Sequence, residues 1–423
     1  MGNKILHLYH YYQPPWQFSE VINQINTECY NWKTKWLNEN NEFKATININ
    51  YSLVEHLLKQ GHDKTIRNLY DAAKSGKIEF VGSAAYHALL PFTPEDEIKR
   101  QIELNEIGNE KVFGDVWKPQ GFFPPEMAIN PKIVKIIKEM GYKWTITDGN
   151  VFSAHNNAED FPMNYIPTIH GLPVFFRSDW SNQFSQEWPN VGRRNAEDFV
   201  RAMDNDLKTW FDGKNGFIAK AYDAETIGHH PNGYNLQYMQ WYAKTIKEVG
   251  LEATLFSELL KENLLRKELI QTEEDNNKYK GSWSTGLSDI YAENPYPLWT
   301  PLNPINKLQH ELLSIAKKTI NQNQRAENNT QKARKKLDEA YNSCKLWWAN
   351  EGYLWNPGLS LLGANETIQV LDILEQENKN NPFFNITKSK IKTNKILEEM
   401  KNQIHEKDPN FVFKEETKLK IVV

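Results

Sequence analysis

The feature that most constrains the fold is the alternation, over the first three quarters of the chain, of short β-like runs with amphipathic helical stretches. This pattern is typical of a parallel sheet whose strands are joined by helices. We predict strands at residues 4–12, 45–49, 78–82, 121–123, 144–147, 173–177, 216–222 and 253–256. We predict helices between them at residues 53–60, 66–75, 94–112, 131–141, 196–211 and 235–249. Seven or eight such units in succession favour a closed β/α barrel over an open sheet.

The pattern changes after about residue 300, where strand-like runs give way to amphipathic helices joined by Asn-rich connectors. Helices are predicted at residues 306–322, 331–349, 367–376 and 388–406. We therefore expect a barrel at residues 1–300 and a helical region at residues 301–423 that packs against it.

Charge and cysteine content exclude several classes of protein. The 50 basic and 54 acidic residues give a net charge of −4 and form no basic stripe, which argues against nucleic acid or an anionic membrane as partner. Two distant cysteines form neither a disulfide framework nor a cysteine metal site, and no metal or cofactor is predicted. The N-terminal run is too polar for a signal peptide, and no apolar stretch approaches the roughly 20 residues that span a bilayer. These features predict a soluble, cytoplasmic protein.

Reactive side chains of a β/α barrel lie at the carboxyl ends of its strands. Side chains alternate along the first predicted strand, so Leu6, Leu8, His10 and Tyr12 share the inward face. His10 and Tyr12 come at its upper end, where a ligand would bind. His7 falls on the opposite face, which favours a structural role.

Glu79 and Glu126 lie on or just after two later predicted strands. Glu79 lies on an otherwise apolar strand, and carboxylates are rarely buried without a partner. It is therefore either part of a buried ion pair or an acceptor for ligand hydroxyls. Glu126 follows two prolines at the end of a strand and precedes a helix. It is either a reactive group or an acid favoured by the helix dipole.

A further strand end carries two acids followed by two histidines. Asp223 and Glu225 are two residues apart, so both can project to one face. Gly228 permits a sharp exit, which allows His229 and His230 to reach back over the mouth. Packing alone explains this combination poorly, and the segment favours a functional site.

Paired carboxylates suit the cleavage of a glycosidic bond. One acid protonates the leaving oxygen, while the other carboxylate meets the oxocarbenium-like carbon. Aromatic residues make up 12% of the chain and include 14 Trp. Most belong to the core, but some in loops can stack on sugar rings.

Together these segments resemble glycoside hydrolase family 57. Residues 125–128, PEMA, resemble the family's nucleophile segment, and residues 222–229, YDAETIGH, resemble its acid/base segment. The resemblance implies a distorted barrel of seven β/α units with a C-terminal helical region. It also implies retaining action on α-glucans, with Glu126 as nucleophile and Asp223 as acid/base. The first segment departs from the usual His-x-His-Gln-Pro, because Tyr12 replaces the second histidine and a phenol carries no charge near neutral pH.

The remaining predicted site residues bind substrate. The strand FFRSD resembles the one that carries a family arginine near the cleft, here Arg177. Aromatic loops at residues 179–194 and 282–299 are candidate lids, and Trp283 is the first choice for stacking on sugar. The predicted substrate-binding residues are His10, Tyr12, Glu79, Arg177, Glu225, His229 and Trp283.

The preferred interpretation is a retaining hydrolase of α-1,4-glucans or maltooligosaccharides, of the α-amylase type. A 4-α-glucanotransferase or a branching enzyme shares the same segments. A metal-dependent carbohydrate hydrolase or deacetylase would use His10, Asp223, His229 and His230 as ligands, although the chain has no His-x-x-His or His-Glu-x-x-His pair on a helix. A non-catalytic glucan-binding protein is the third alternative, but such proteins usually lack one catalytic carboxylate.

Overall fold

The computed structural model describes residues 2–178, 196–211, 216–230, 236–351 and 354–412. The chain divides into two compact units, Met1–Pro295 and Tyr296–Val423. The candidate lid at residues 179–194, with Trp180, Phe184 and Trp188, lies outside the described residues. Within the described part of the chain, no helix combines the length and the apolar character needed to cross a membrane.

The first unit alternates strands and helices. Its strands are β1 Lys4–Tyr11, β2 Ala45–Ile49, β3 Ile78–Val81, β4 Gly121–Phe122, β5 Trp144–Asp148, β6 Ile166–Ile169, β7 Leu172–Arg177, β8 Phe217–Asp223, β9 Glu252–Thr254 and β10 Arg266–Glu268. Its α-helices are Ser19–Ile25, Asn31–Glu39, Tyr51–Lys59, Asp63–Lys74, Glu95–Phe113, Pro131–Glu139, Gly149–Ser153, Ala196–Phe211, Leu236–Glu248, Phe256–Leu259 and Leu287–Tyr291. All eight predicted strands are present, and their ends differ from the prediction by two residues or fewer.

Seven of these strands follow one another in parallel around the unit. Strands β3, β2, β1 and β8 form one continuous ladder, and β4, β5 and β7 form another. A parallel bridge between Gly82 and Phe122 joins β3 to β4, and the amide of Ser178 donates to the carbonyl of Ala219, 2.9 Å away, between β7 and β8. The predicted fold class is confirmed: the α/β core is consistent with an irregular (β/α)7 barrel.

The inner faces of the strands form the core of this unit. Leu6 and Leu8 of β1 pack in one cluster with Trp144 of β5 and Phe175 of β7. His7, on the opposite face, lies 2.8 Å from the hydroxyl of Tyr242 on helix Leu236–Glu248. The side chains of β1 therefore alternate between the core and the surrounding helices.

Several elements of this unit were not predicted. The segment between β1 and β2 forms helices Ser19–Ile25 and Asn31–Glu39, joined by a π-helical turn at Asn26–Tyr30. Strand β6 pairs antiparallel with β7, and β10 pairs with β6.

The second unit is built mainly from helices. These are Pro304–Arg325, Gln331–Ala340, Cys344–Trp347, Pro357–Glu377 and Thr387–Lys407. The predicted helix at 331–349 ends at Ala340, and the one predicted at 367–376 begins ten residues earlier, where the Asn356 side chain caps the first turn. A short antiparallel pair, Ala349–Asn350 with Leu354–Trp355, also lies here. The predicted C-terminal helical region is thus present.

Candidate active site

The two predicted catalytic acids both follow parallel strands at their carboxyl ends. Asp223 is the last residue of β8 and is paired in register with His10 of β1. Glu126 lies in the single 3-10 turn Pro125–Met127 that follows β4. The strand ladder therefore places both acids at the end where barrel enzymes hold their reactive groups.

The backbone at Glu126 is strained. Glu126 has φ 59° and Met127 has φ 51°, so two consecutive non-glycine residues adopt the left-handed region. Such residues cost about 1–3 kcal/mol each and persist only where their surroundings fix them. Here the amide of Trp283 donates to the Glu126 carbonyl at 3.1 Å, and the Thr147 hydroxyl donates to the Met127 carbonyl at 2.9 Å. These two hydrogen bonds hold the strained turn that carries Glu126.

The carboxylate of Glu126 lies between an indole and an imidazole. The Trp283 Nε1–H donates a hydrogen bond to its Oε2 at 2.8 Å, and His87 Nδ1 lies 3.7 Å from its Oε1. Burial, and then the proximity of His10, hold the pKa of His87 well below its usual range. His87 is therefore neutral near pH 7 and supplies no compensating charge to Glu126.

A stack of rings adjoins this carboxylate. His10 lies between Phe123 and His87, with ring centroids 4.6 Å and 4.9 Å away, and Tyr12 stacks on His87 at 3.9 Å. The centroid of Trp283 is 5.7 Å from that of His10. The cluster combines flat apolar faces with polar ring edges, which suits a sugar ligand.

Hydrogen bonds orient the two histidines of this stack. His10 Nδ1 lies 2.5 Å from the Asn48 side-chain oxygen, so we assign the His10 proton to Nδ1. Its Nε2 then accepts from Nε2 of His87 at 3.0 Å. Burial lowers the pKa of His10 to about 4 despite the Asn48 hydrogen bond. Both imidazoles therefore remain neutral and fixed in direction.

The acid Asp223 lies in a different electrostatic setting. Burial raises its pKa to about 7, and the nearby charge of Arg177 partly opposes this rise. Burial, and then the charge of Asp223, raise the pKa of Glu225 to about 8. Glu225 accepts hydrogen bonds from the Gln13 amide and the Tyr30 hydroxyl, each at 3.0 Å. Asp223 and Glu225, the two acids at the end of β8, therefore stay protonated up to about neutral pH.

Arg177 connects the two acids. It forms an ion pair with the fully buried Asp148 at the end of β5. Its guanidinium also donates to the carbonyls of Trp283, at 3.3 Å, and Ala221, at 3.4 Å. One buried cation therefore contacts the residue that holds Glu126 and also lowers the pKa of Asp223.

Two predicted binding residues have partners outside this cluster. Glu79 accepts from the Thr46 hydroxyl at 2.8 Å and from the Ser257 amide at 3.2 Å, and its pKa is raised by burial. Its partners are thus neutral donors rather than a cation. His229 Nδ1 lies 2.5 Å from a carboxylate oxygen of Glu28, an acid that the sequence analysis did not single out.

The site also contains residues that were not predicted. They are Asn48, His87, Gln13, Tyr30 and Asp148. Asp148 could have been found, because it follows the predicted strand 144–147 directly. Within the described residues, no group of three His, Cys, Asp or Glu side chains is placed to hold a metal ion.

Two curated proteins are similar to part of this chain. The alpha-amylase 1 of Dictyoglomus thermophilum is 30% identical over 171 residues, which is 39% of this chain and 24% of that protein. A putative alpha-amylase of Methanocaldococcus jannaschii is 30% identical over 134 residues, 31% of this chain and 28% of that protein. The matched segments therefore span about a quarter of the length of these curated relatives.

Solved structures match over nearly the whole chain. A branching enzyme from Pyrococcus horikoshii has a TM-score of 0.67 at 16% identity and covers 96% of both chains. The alpha-amylase AmyC of Thermotoga maritima has a TM-score of 0.67 at 14% identity, covering 97% of this chain and 98% of that one. At such identities the likeness establishes the fold. The model of glycosyl hydrolase family 57 matches residues 5–273, and the chain belongs to that family.

Proposed function

We propose that this chain is a retaining enzyme of the α-amylase type, which hydrolyses α-1,4-glucans and maltooligosaccharides. One observation carries the proposal: two carboxylates at the carboxyl ends of the parallel strands lie in contrasting settings. Glu126 is held by an indole N–H at 2.8 Å, whereas the pKa of Asp223 is raised to about 7. Retaining glycosidases need one carboxylate that attacks and one acid that carries a proton.

In the first step, Glu126 attacks the anomeric carbon and forms a covalent glycosyl–enzyme intermediate. The Trp283 hydrogen bond and the strained backbone orient its carboxylate before substrate arrives. Asp223 donates its proton to the departing glycosidic oxygen. The raised pKa leaves Asp223 protonated below about pH 7, as this step requires.

In the second step, Asp223 acts as a base. Esterification of Glu126 removes one negative charge from the site, which lowers the pKa of Asp223 and favours its ionised form. The ionised carboxylate then takes a proton from a water molecule that attacks the intermediate. If an acceptor sugar hydroxyl takes the place of water, the same chemistry transfers the glycosyl group.

The curated relatives support hydrolysis, since both are named as alpha-amylases. Transfer is the second candidate, because a solved structure with a TM-score of 0.65 is the 4-alpha-glucanotransferase of Thermococcus litoralis, of which this chain covers 60%. We favour water as the acceptor.

Product analysis tests this proposal. Wild type, Glu126→Ala and Asp223→Ala are incubated with maltooligosaccharides and with soluble starch, and products are separated by length and linkage. The control is Glu106→Gln, because Glu106 also accepts from an indole, Trp117 Nε1 at 2.8 Å, but lies on helix Glu95–Phe113. We expect only shorter sugars from wild type and control, and essentially none from the two alanine variants.

Other outcomes assign other functions. Longer as well as shorter products would identify a glucanotransferase, and new branch points a branching enzyme. Loss of activity in a chelator, restored by a divalent cation, would favour the metal-dependent alternative. Binding of glucan by wild type without any turnover would contradict the enzymatic proposal.

A further inference from the structure

The residue directly after Asp223 is bound from outside the barrel by the helical segment of residues 26–39. Lys33 Nζ donates a hydrogen bond to the carbonyl of Ala224. The Cys29 thiol donates to the same oxygen at 3.2 Å. Two side chains one helical turn apart thus converge on a single carbonyl beside the proposed acid/base.

Lys33 is fully buried, which is unusual for a lysine. Its ammonium lies 5.3 Å from the centroid of the Tyr9 ring. Burial lowers the pKa of Lys33, while the neighbouring Cys29 and Glu225 act to raise it. In return, the charge of Lys33 acts to lower the pKa of Glu225. The lysine is therefore a buried cation that acts on Glu225, the residue that follows the carbonyl it binds.

The same helical segment packs closely on the rest of this turn. Gly228 has φ +128°, and a Cβ at this position would lie 2.7 Å from the Glu28 carbonyl oxygen and 2.9 Å from the Trp32 ring. The carbonyl oxygen of Ile227 lies 3.3 Å from the Cys29 sulfur and is a second acceptor for the same S–H. The turn after β8 has little room to move independently of residues 26–39.

We propose that Lys33 is a positioning residue for the acid/base: through the Ala224 carbonyl it fixes the direction of Asp223, and its charge favours ionisation of the nearby Glu225. This role rests on the proposed function of Asp223. Helix Asn31–Glu39, which carries Lys33 and lies outside the ring of strands, thus contributes to the reaction. Lys33 itself does not touch the substrate.

The other groups that face this cluster are neutral or already paired. Burial raises the pKa values of Cys29, Tyr9, Tyr11, Tyr30 and Tyr222. Burial lowers the pKa of His10 to about 4, and Glu28 pairs with His229. Arg177 is paired with Asp148. Among the described residues, the cations that act on the ionisation of these two acids are Lys33, which lowers the pKa of Glu225, and Arg177, which lowers that of Asp223.

Substitutions of Lys33 separate its hydrogen bond from its charge. Lys33→Gln keeps a donor for the Ala224 carbonyl but removes the charge, Lys33→Met removes both, and Lys33→Arg keeps the charge. Because an adjacent cation stabilises ionised carboxylates, we expect the basic limb of kcat/KM to move up by about one pH unit in the Gln and Met variants. The Arg variant keeps the wild-type limb. We expect kcat to fall about tenfold in Lys33→Met, with a smaller change in KM.

The control is Lys345→Met in the second unit. Lys345 is also fully buried, and its Nζ donates to a backbone carbonyl, that of Ala340, and to the Thr367 hydroxyl. The Lys345→Met variant should lose thermal stability as Lys33→Met does, but its kcat/KM should keep the pH dependence of the wild type. If Lys33→Gln also loses stability without any shift of the limb, Lys33 is only structural and the proposal is wrong.

A titration that needs no substrate distinguishes this failure from failure of the proposed function. Carboxyl carbons of ¹³C-labelled Asp and Glu are followed by NMR against pH in wild type, Lys33→Gln and Lys33→Arg, with Asp223→Asn and Glu225→Gln for assignment. Higher apparent pKa values for this pair in Lys33→Gln alone support the proposal. Unchanged values overturn it, whatever wild type does to glucans.

Discussion

The segments that carry Glu126 and Asp223 both follow parallel strands, but different forces hold them. The strained backbone of the Glu126 segment is held in place by buried Met127 and by the neutral donors Thr147 and Trp283. The Asp223 segment is fixed from outside it by the cation Lys33 and by polar side chains that bind Glu225.

This difference matches the two proposed tasks. A nucleophile must be directed at one carbon, and neutral donors with rigid packing direct it without adding net charge. An acid/base must change its protonation state twice in each cycle, and buried charges nearby adjust its pKa. The Arg177 guanidinium acts on both segments: it donates to the Trp283 carbonyl, and its charge lowers the pKa of Asp223.

The largest effect should come from removing the ion pair that the two sides share. Asp148→Ala leaves Arg177 buried without its carboxylate, which costs about 3–5 kcal/mol in the free energy of unfolding. Chemical denaturation measures this loss. The matched control is Asp115→Ala, which breaks the exposed ion pair with Lys74 and should leave the midpoint nearly unchanged. Equal effects of the two variants would contradict the proposed structural role of the buried pair.

An intermediate effect should follow from a change on the Glu126 side alone. Trp283→Phe keeps a ring but removes the N–H that donates to Oε2 of Glu126. A hydrogen bond to a charged group contributes about 1.5–3 kcal/mol, so we expect kcat/KM to fall by about 10- to 100-fold. The pH at which kcat/KM begins to fall, which the ionisation of Asp223 determines, should not change. If Trp283→Phe shifted the basic limb of the pH profile as well as lowering kcat/KM, the Glu126 and Asp223 segments would not be independent.

The smallest effect should be the pH dependence of kcat/KM, which Asp223 alone determines. Because its protonated form is the active acid and its pKa is raised to about 7, kcat/KM on maltooligosaccharides should fall about tenfold per pH unit above that value. An α-glycosyl fluoride has a leaving group that needs little protonation, so its basic limb should be much weaker. Identical limbs for both substrates would assign the ionisation to another group.

Local patterns predicted most of the scaffold. Strand Ala45–Ile49 and helix Ala196–Phe211 have the predicted ends, because strand alternation and helical periodicity are properties of neighbouring residues. The helices at Ser19–Ile25 and Asn31–Glu39 were missed because the π turn between them shifts the helical period. Strand β6 was missed because Pro167 lies inside it, and proline argues against a strand.

The candidate site was only partly predictable. Glu126 and Asp223 were singled out because each lies near the end of a predicted strand, within a segment that resembles a catalytic segment of the family. His87 lies several residues beyond β3 and reaches the cluster through a left-handed backbone, φ 59°, that no periodicity predicts. The Gln13 side chain donates to Glu225, which lies 212 residues away in the sequence, so local patterns could not predict this contact.

The most direct test of the central claim is chemical rescue of Glu126→Ala and Asp223→Ala by azide, using an activated α-glucoside and identifying the anomer formed. If Glu126 is the nucleophile, azide enters the cavity left in Glu126→Ala and yields the β-glycosyl azide. If Asp223 is the acid/base, azide attacks the covalent intermediate in Asp223→Ala and yields the α-glycosyl azide. The same anomer from both variants, or no rescue of either, would contradict the assignment of these two roles.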